Sequence, residues 1–414
     1  MKPTQPELRS PSRAPKHICL PFESEAHYRA CLADLRQYRE YLMKLLAQHP
    51  ELFPRALAAG FSFHDTYHSR KQPGLWLRRI KLTQTGAVFT LRPSFVMPYL
   101  VARTDELEKA LYLRQWDVPF AALAYVFGRD AMFWYRAWLQ MGRPNLVGTT
   151  VKSCDRMPEH LVADEKITWL AGAEVCVPTT VGGGCVLGIT LAPAEDSAAL
   201  ETAYGEFAAE AAALSPDYQP RSVCTDGFRA TRRAWRELFP TITLVLCFLH
   251  SALKIAERCR GALRHAVLDK AWHVYRAPDK RAFAQRARRL REWAHKELSG
   301  VVLEAVAKLC ARSADFLPAY ACPGAARTSN AVDRLLNVMD RHLYAMRYCH
   351  GTQDSARLAV RALGMAWNFH PYGSRLRRAA PERVSPFADL NGFQYHGNWL
   401  HNFLIASSMG GLCL

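Results

Sequence analysis

The sequence has no Cys-x-x-Cys pair, although its 414 residues include 12 cysteines. Structural zinc sites and disulfide frameworks need cysteines in close pairs or at regular spacing, so the sequence indicates neither. It also lacks a run of about 18 or more apolar residues, the length that a membrane-spanning helix requires. We therefore expect a protein of the reducing cytoplasm that has no membrane span.

Acidic residues are scarce compared with basic ones. The chain has 37 Asp and Glu against 54 Lys and Arg, a net charge of +17. Residues 1–150 carry 21 basic and 12 acidic side chains, residues 151–250 carry 8 and 13, and residues 251–300 carry 13 and 5. Such a charge is typical of proteins that bind a polyanion, with a solvated basic surface as the alternative. Nucleic acid is the first candidate partner, and the acidic middle segment suits metal binding.

The first 149 residues are predicted to hold a leader and a region that binds DNA. Met1 to Lys16 are rich in Pro, Ser and Arg and contain no apolar segment. Residues 1–20 are therefore expected to form a disordered leader and not a signal peptide. Residues 21–149 are predicted to be mainly helical, with a β-hairpin about Gly86.

Residues 118–142 have the pattern of a helix-turn-helix. Gly128 permits a sharp turn, and Asp130 can cap the second helix. Arginines in or beside that helix are candidates for contacts with DNA, namely Arg129, Arg136 and Arg143. The alternative is an ordinary packed helical hairpin whose aromatic side chains belong to a hydrophobic core, namely Phe133, Trp134 and Trp138.

After residue 150 the pattern becomes that of an α/β fold. Three short strands are expected within residues 161–192, and the glycines at 182–184 predict a hairpin turn, because no Gly-Lys-Ser/Thr follows them as in a phosphate loop. The next elements are a helix over 197–214, a strand over 221–226, a helix over 227–239 and a strand over 241–249. This order is that of a ribonuclease-H-like mixed sheet.

We place the ribonuclease-H-like core at residues 150–254 and 324–370, interrupted by a basic helical insertion at residues 255–323. The insertion contains a dense run of arginines that are candidates for contacts with DNA, namely Arg286, Arg288 and Arg289. A solvated helix face is the alternative for this run. Residues 371–414 are rich in turn residues and aromatics, and they are expected to form a C-terminal tail packed on the core or on a partner subunit.

Two carboxylates fall on strands that would lie side by side, Asp164 in the first strand and Asp226 at the end of the fourth. A lone Asp at a strand end is often a turn residue. Two acids in reach of each other repel unless a cation compensates, and Mg²⁺ or Mn²⁺ does so while binding phosphate oxygens. Two ions are expected. The third ligand would come from a helix after Gly324, where Asp333 is the candidate and Asp340, on nearly the same face, is its rival.

Taken together, these residues resemble the DDE transposases, in particular the insertion-sequence and mutator-like groups with a helical insertion before the third acid. The resemblance lies in Asp164-Glu165, in Thr225-Asp226-Gly227 followed by Trp235 and Leu238-Phe-Pro240, in Cys247-Phe-Leu-His250, and in Thr328-Ser-Asn-Ala-Val-Asp333. It covers about residues 150–370. One departure is that Asp333 stands where the family commonly has Glu.

The resemblance implies a DNA transposase that acts on terminal inverted repeats and target DNA, as a homo-oligomer associated with the nucleoid. Asp164, Asp226 and Asp333 would hold the metal ions, and His250 would assist at the scissile phosphate. A hydrogen-bonded structural histidine is the alternative for His250. Two other functions stay open, a ribonuclease-H-like nuclease that hydrolyses without joining and a domesticated DNA-binding protein that has lost catalysis.

Overall fold

The computed structural model describes residues 16–98 and 100–412. These residues form two compact units, one from the described residues up to Arg156 and from Phe369 onwards, the other from Met157–Asn368. Each unit contains helices and a mixed β-sheet, so the α/β class is confirmed. Every helix within the described ranges is too short or too polar to cross a membrane.

The first unit is built on a four-stranded sheet in the order β1-β4-β3-β2, with strands β1 (His17–Leu20), β2 (Phe61–His68), β3 (Trp76–Leu82) and β4 (Val88–Pro93). β1 runs parallel to β4, whereas β3 is antiparallel to both of its neighbours. The helices before residue 157 are α1 (Glu25–Ala33), α2 (Leu35–Gln48), α3 (Thr104–Arg114), α4 (Phe120–Phe127), α5 (Ala131–Met141) and α6 (Leu146–Thr150). Short 3-10 turns lie at Pro50–Leu52, Arg55–Ala59 and Cys154–Arg156.

Residues 21–149 contain more helix than strand, as predicted, but this sheet includes strand β2, which the sequence pattern does not predict. Three strands of the sheet lie in this region, and Ile80 and Leu91 are buried in it. The β3–β4 hairpin about Gly86 is confirmed, with a positive φ of 67° at the glycine. Strand β2 is missed because short strands buried on one side give a weaker sequence pattern than amphipathic helices.

The predicted leader over residues 1–20 is also too long. His17–Leu20 pair with β4, and the side chains of Ile18, Cys19 and Leu20 are buried. Residues 1–15 lie outside the described residues. The apolar Ile-Cys-Leu triplet is the sequence signal for strand β1.

Helices α4 and α5 form a hairpin at the position predicted for a helix-turn-helix. Gly128 joins them with a φ of 71°, a conformation that a residue without a Cβ adopts freely. The Asp130 carboxylate caps α5 by accepting a hydrogen bond from the N–H of Phe133 at 2.7 Å. Trp134 and Trp138 are buried. The aromatic side of α5 is therefore core, while Arg136 lies on its exposed side.

The second unit contains a five-stranded sheet in the order β7-β6-β5-β8-β9, with strands β5 (His160–Leu170), β6 (Ala173–Gly182), β7 (Cys185–Ile189), β8 (Ser222–Thr225) and β9 (Thr243–Leu246). β5, β6 and β7 form an antiparallel meander, whereas β8 runs parallel to β5 and to β9. Helix α7 (Ser197–Leu214) connects β7 to β8, and α8 (Arg229–Leu238) connects β8 to β9. The glycines at 183 and 184 have positive φ angles and form the turn between β6 and β7.

The fifth strand is shorter than predicted. β9 ends at Leu246, and a helix, α9 (Phe248–Ala256), begins where the strand was expected to continue. An apolar run does not distinguish a buried strand from the start of a buried helix, and Phe248 is buried in the helical core. His250 therefore lies in the first turn of α9 and not at a strand end.

Within the second unit, the described residues 261–321 are helical. The helices are α10 (Gly261–Tyr275), α11 (Lys280–Glu297), α12 (Gly300–Ala311), α13 (Ser313–Phe316) and α14 (Pro318–Ala321). Their apolar sides form one core with α9, which includes Phe283, Leu290 and Phe316. The chain then returns to the sheet through α15 (Asn330–Ala345), which packs against β5 and β6, and continues in α16 (Gln353–Phe369).

The C-terminal helices belong to the first unit. They are α17 (Ser374–Ala379), α18 (Pro386–Asn391) and α19 (Trp399–Ala406), followed by a 3-10 turn at Ser408–Gly411. α19 packs against β1 and α3, and Oγ of Ser408 accepts a hydrogen bond from the N–H of Cys19 at 3.1 Å. The predicted tail is thus part of the N-terminal unit. The boundaries of the second unit fall at residues 157 and 368 instead of 150 and 370.

Candidate metal centre

Asp164 lies near the middle of β5, the central strand of its sheet, and is 7% exposed. The parallel register pairs residues 160, 161 and 162 of β5 with residues 222, 223 and 224 of β8. Continued by two positions, this register brings Asp226, the residue directly after β8, beside Asp164. Side chains at paired positions point to the same face of a sheet. The two predicted acids therefore belong to one face of neighbouring strands.

Two helices bring further side chains to Asp164. His250 lies in the first turn of α9, and Asp333 lies in the first turn of α15. One donor atom from each of Asp164, His250 and Asp333 lies within 4.8 Å of the other two. Nε2 of His250 is 3.6 Å from Oδ2 of Asp164. Three of the four predicted site residues thus meet at one point.

Asp226 is outside this group of three among the described residues. Its Oδ1 accepts a hydrogen bond from the N–H of Phe228 at 2.7 Å, which holds the carboxylate over the turn that leads to α8. The charge of Asp226 nevertheless contributes to the raised pKa of Asp164. The two carboxylates therefore interact electrostatically.

Ser329 and Cys247 support the three clustered side chains. The Ser329 hydroxyl donates to Oδ2 of Asp333 at 2.9 Å and lies 3.3 Å from Nδ1 of His250. The backbone N–H of Ser329 donates to Sγ of Cys247 at 3.1 Å. A serine directly before a helix is typical of an N-cap, but the hydroxyl of Ser329 makes no capping hydrogen bond to α15. The sequence alone does not reveal the contact of Ser329 with Asp333, because a serine directly before a helix fits both an N-cap and a hydrogen-bond partner of a site residue.

The electrostatics of the cluster favour a cation. Burial raises the pKa of Asp164 to about 7, and the charges of Asp226 and Asp333 add to the rise. Burial also raises the pKa of Asp333. A hydrogen bond to Cys247 raises the pKa of His250 to about 9, so its imidazole carries a proton at neutral pH. Carboxylates that lie close together and away from water destabilise the folded state unless a positive charge compensates them. The protonated imidazole of His250 supplies part of that charge.

The donor set fits a hard divalent ion through its two carboxylates. Asp164 and Asp333 offer oxygens, the ligands that Mg²⁺ and Mn²⁺ prefer. His250 offers a nitrogen, which suits Mn²⁺ or softer ions better than Mg²⁺, and its proton has to leave before the nitrogen can bind a metal. We therefore regard the two carboxylates as the metal ligands and His250 as a hydrogen-bond donor. This single cluster accounts for one ion of the expected two.

Glu165 is half-buried, and it does not belong to the cluster. Successive side chains of a strand point to opposite faces of the sheet, so Glu165 faces away from Asp164. Its Oε1 accepts hydrogen bonds from the hydroxyls of Tyr204 at 2.7 Å and Thr231 at 2.6 Å. Burial raises the pKa of Glu165 to about 7. Its partners are uncharged hydroxyls, so its role is in packing the sheet against the helices.

Asp340, the rival of Asp333, is engaged elsewhere. One of its oxygens forms an ion pair with Nζ of Lys166 at 2.7 Å. The two aspartates are seven positions apart, which corresponds to about two helical turns, or roughly 10 Å along α15. Asp333 rather than Asp340 lies against Asp164.

The arginines predicted to contact DNA fall into two groups. In the first unit, Arg136 and Arg143 are exposed, whereas Arg129, also exposed, stacks on Phe133 at 4.6 Å and pairs with Glu106 at 3.6 Å. In the second unit, Arg289 is exposed, whereas Arg288 pairs with Glu292 at 2.7 Å and Arg286 donates to the His273 carbonyl at 2.8 Å. Exposed arginines are available to phosphates, while paired ones must first exchange a partner.

No protein-family model matches this chain, and no curated protein matches it in sequence. A proposal of function therefore rests on the site and on the fold that builds it.

Proposed function

We propose that this protein is a DDE-type DNA transposase, an enzyme that cleaves and joins DNA strands at the ends of a mobile element with the help of a divalent metal ion. The observation that carries this proposal is the convergence of a buried carboxylate and a half-buried one from distant parts of the chain. Asp164 comes from the central strand and Asp333 from α15, 169 positions later. Two carboxylates this close to each other destabilise the folded chain unless a positive charge compensates them, which favours the binding of a cation.

The strand order supports the same proposal. An antiparallel meander of three strands followed by two parallel strands, in the order β7-β6-β5-β8-β9, is the arrangement of ribonuclease-H-like enzymes. In that arrangement the acids lie on the central strand, after the neighbouring parallel strand and on a later helix. Asp164, Asp226 and Asp333 occupy these three places. The helical segment between β9 and α15 corresponds to the insertion of the insertion-sequence and mutator-like groups.

In this mechanism, Asp164 and Asp333 would hold Mg²⁺ or Mn²⁺, and Asp226 would be the third carboxylate of the site. A bound ion would supply the positive charge that activates the attacking oxygen and stabilises the leaving oxygen at the scissile phosphate. His250 keeps a proton on Nε2 next to Asp164 and can donate it toward a phosphate oxygen. Ser329 fixes the orientation of Asp333 by its hydrogen bond.

The DNA partner follows from charge. The net charge of +17 and the exposed arginines of both units suit a double-stranded polyanion, namely terminal repeats and target DNA. A protein that joins two ends of one element acts as an oligomer on DNA, and we place it at the nucleoid.

The test is cleavage and joining of a linear DNA that carries the sequences flanking the coding region. Wild type should cleave only with Mg²⁺ or Mn²⁺ and transfer the new ends to a second DNA. Asp164→Asn should abolish both steps, whereas Asp340→Asn, the same change in a carboxylate outside the cluster, should not. Cleavage without joining would point to a nuclease. Binding of the flanking DNA without any cleavage would point to a domesticated DNA-binding protein, and cleavage by Asp164→Asn at the wild-type rate would remove the proposal.

A further inference from the structure

One arginine of the helical segment between β9 and α15 lies at the end of β8, next to the turn that contains Asp226. Arg312 lies between α12 and α13, and its Nη2 occupies the space beside Gly227, the residue after Asp226. A methyl group at position 227 would overlap that nitrogen. Gly227 therefore makes room for the guanidinium beside the turn that follows Asp226.

A carboxylate holds Arg312 in this position. Nε of Arg312 pairs with Oδ2 of Asp315 at 3.3 Å, and the other oxygen of Asp315 lies 3.5 Å from Nη2 of Arg232 in α8. Two guanidinium groups thus share one carboxylate, which leaves a net charge of one positive unit. The Arg312 side chain is 28% exposed, so its terminal nitrogens are within reach of a ligand from solution.

We propose that Arg312 binds a phosphate of the DNA strand next to the scissile bond, an inference that rests on the proposed function. A guanidinium fork whose Nε side is fixed by a carboxylate presents its terminal nitrogens in one plane, the geometry that suits a phosphate. The segment from which it comes is basic, so the phosphate would approach over an attractive surface. The alternative is a structural role, in which Arg312 only packs α12 and α13 against the turn after β8.

The two explanations differ in what happens when the phosphate loses its charge. The probe is a series of short duplexes from the DNA that flanks the coding region, each with one phosphate near the cleavage point replaced by a neutral methylphosphonate. With wild type, one position should lower kcat/KM by about 10- to 100-fold, the range of a charge-assisted hydrogen bond. With Arg312→Gln, kcat/KM should already be lowered by that factor, and the same methylphosphonate should add no further loss.

The controls separate charge from folding. Arg264→Gln removes one exposed positive charge from α10 of the same segment and should keep the methylphosphonate pattern of wild type. Arg312→Lys keeps the charge without the fork and should fall between wild type and Arg312→Gln. If Arg312→Gln loses activity but still shows the full methylphosphonate effect, Arg312 is structural and the inference is wrong.

Affinity gives a second readout that does not depend on cleavage. The binding of the same duplexes to each protein is measured without a divalent metal. In wild type and in Arg264→Gln, the methylphosphonate at one position should lower the affinity for the duplex. In Arg312→Gln, the same methylphosphonate should leave the affinity unchanged. Failure of wild type to cleave with any metal would overturn the proposed function alone, provided this affinity pattern is present. An identical affinity pattern in Arg312→Gln and wild type would overturn the phosphate contact alone.

Discussion

Replacing Asp164 by asparagine should stabilise the metal-free protein while it abolishes metal binding. Burial and the neighbouring carboxylates raise the pKa of Asp164 from its ordinary 3.8 to about 7. The folded chain therefore keeps this proton to a higher pH than the unfolded chain does. The stability that the group contributes is present below about pH 4 and is lost as the pH rises through about 7. Because one pKa unit corresponds to about 1.4 kcal/mol, the loss approaches about 4 kcal/mol at about pH 8.

Asparagine at position 164 does not ionise, so it avoids this loss of stability at high pH. It also keeps the hydrogen bond that the Asp164 side chain accepts. Oδ1 of Asp164 accepts from the N–H of Glu165 at 3.0 Å, and an amide oxygen accepts equally well. The substitution also removes the charge that faces Nε2 of His250 at 3.6 Å, which costs part of the gain. We expect a net gain of roughly 1 to 3 kcal/mol in the free energy of unfolding at about pH 8 and no gain at about pH 4.

The assay is urea unfolding of wild type and Asp164→Asn at both pH values, with and without Mg²⁺ or Mn²⁺. A metal ion that binds only the folded state should stabilise wild type in proportion to its concentration and should stabilise the variant much less. Asp340→Asn is the matched control, because the same chemical change in the Lys166 ion pair should leave the metal effect intact. If Asp164→Asn is less stable than wild type at about pH 8 and gains as much from metal, the assignment of Asp164 as a desolvated ligand is wrong.

Three further predictions follow from single contacts. Asp333→Asn should lower metal-dependent cleavage by at least about 100-fold, measured beside Asp340→Asn, which should change it by less than about threefold. Gly227→Ala should slow cleavage because its methyl group displaces Arg312. Arg312→Ala in the same chain should relieve only part of the accompanying loss of stability in urea, because the positive φ of residue 227 and the contact with Leu246 remain. Burial lowers the pKa of His370 to about 4, so wild type should lose up to about 3 kcal/mol of stability as the pH falls from about 6.5 to about 4. His370→Phe keeps the stacking on Tyr112 and should lose less stability over the same pH range, measured by acid unfolding.

Much of the second unit can be predicted from the sequence because its elements have strong and separate patterns. The helix at Ser197–Leu214 has the bounds expected from its alanine-rich pattern, and the order of strands follows from their turns. Asp164 and Asp333 could be named before the structure because strand order and helix phase place them. The contact with His250 could be named only through the resemblance, since the strand end expected there is the first turn of a helix.

The remaining features depend on contacts that local patterns do not encode. β1 pairs with β4 across about seventy residues of sequence, and the C-terminal helices complete the N-terminal unit from more than three hundred residues away. The choice of Asp333 over Asp340 depends on Lys166, which lies on a different element. Arg312 reaches Gly227 from a helical segment whose sequence indicates only a basic surface. Each of these needs the positions of two elements that are far apart in the chain.

The adjacent acids of β5 show how the strand geometry limits the charge of the site. Asp164 is buried and Glu165 is half-buried, and burial raises the pKa of each to about 7. Because neighbours on a strand face opposite sides, only Asp164 can reach Asp333, while Glu165 meets two hydroxyl groups.

The cluster of Asp164, Asp333 and His250 carries at most two negative charges, from the two aspartates, against one positive charge on His250. A single divalent ion would balance the two carboxylates, which would leave the proton on His250 free to be donated to the phosphate instead of Asp164. Metal binding and proton donation would then be linked. We therefore expect His250→Asn to slow the cleavage of DNA by a larger factor than the factor by which it tightens the binding of the ion.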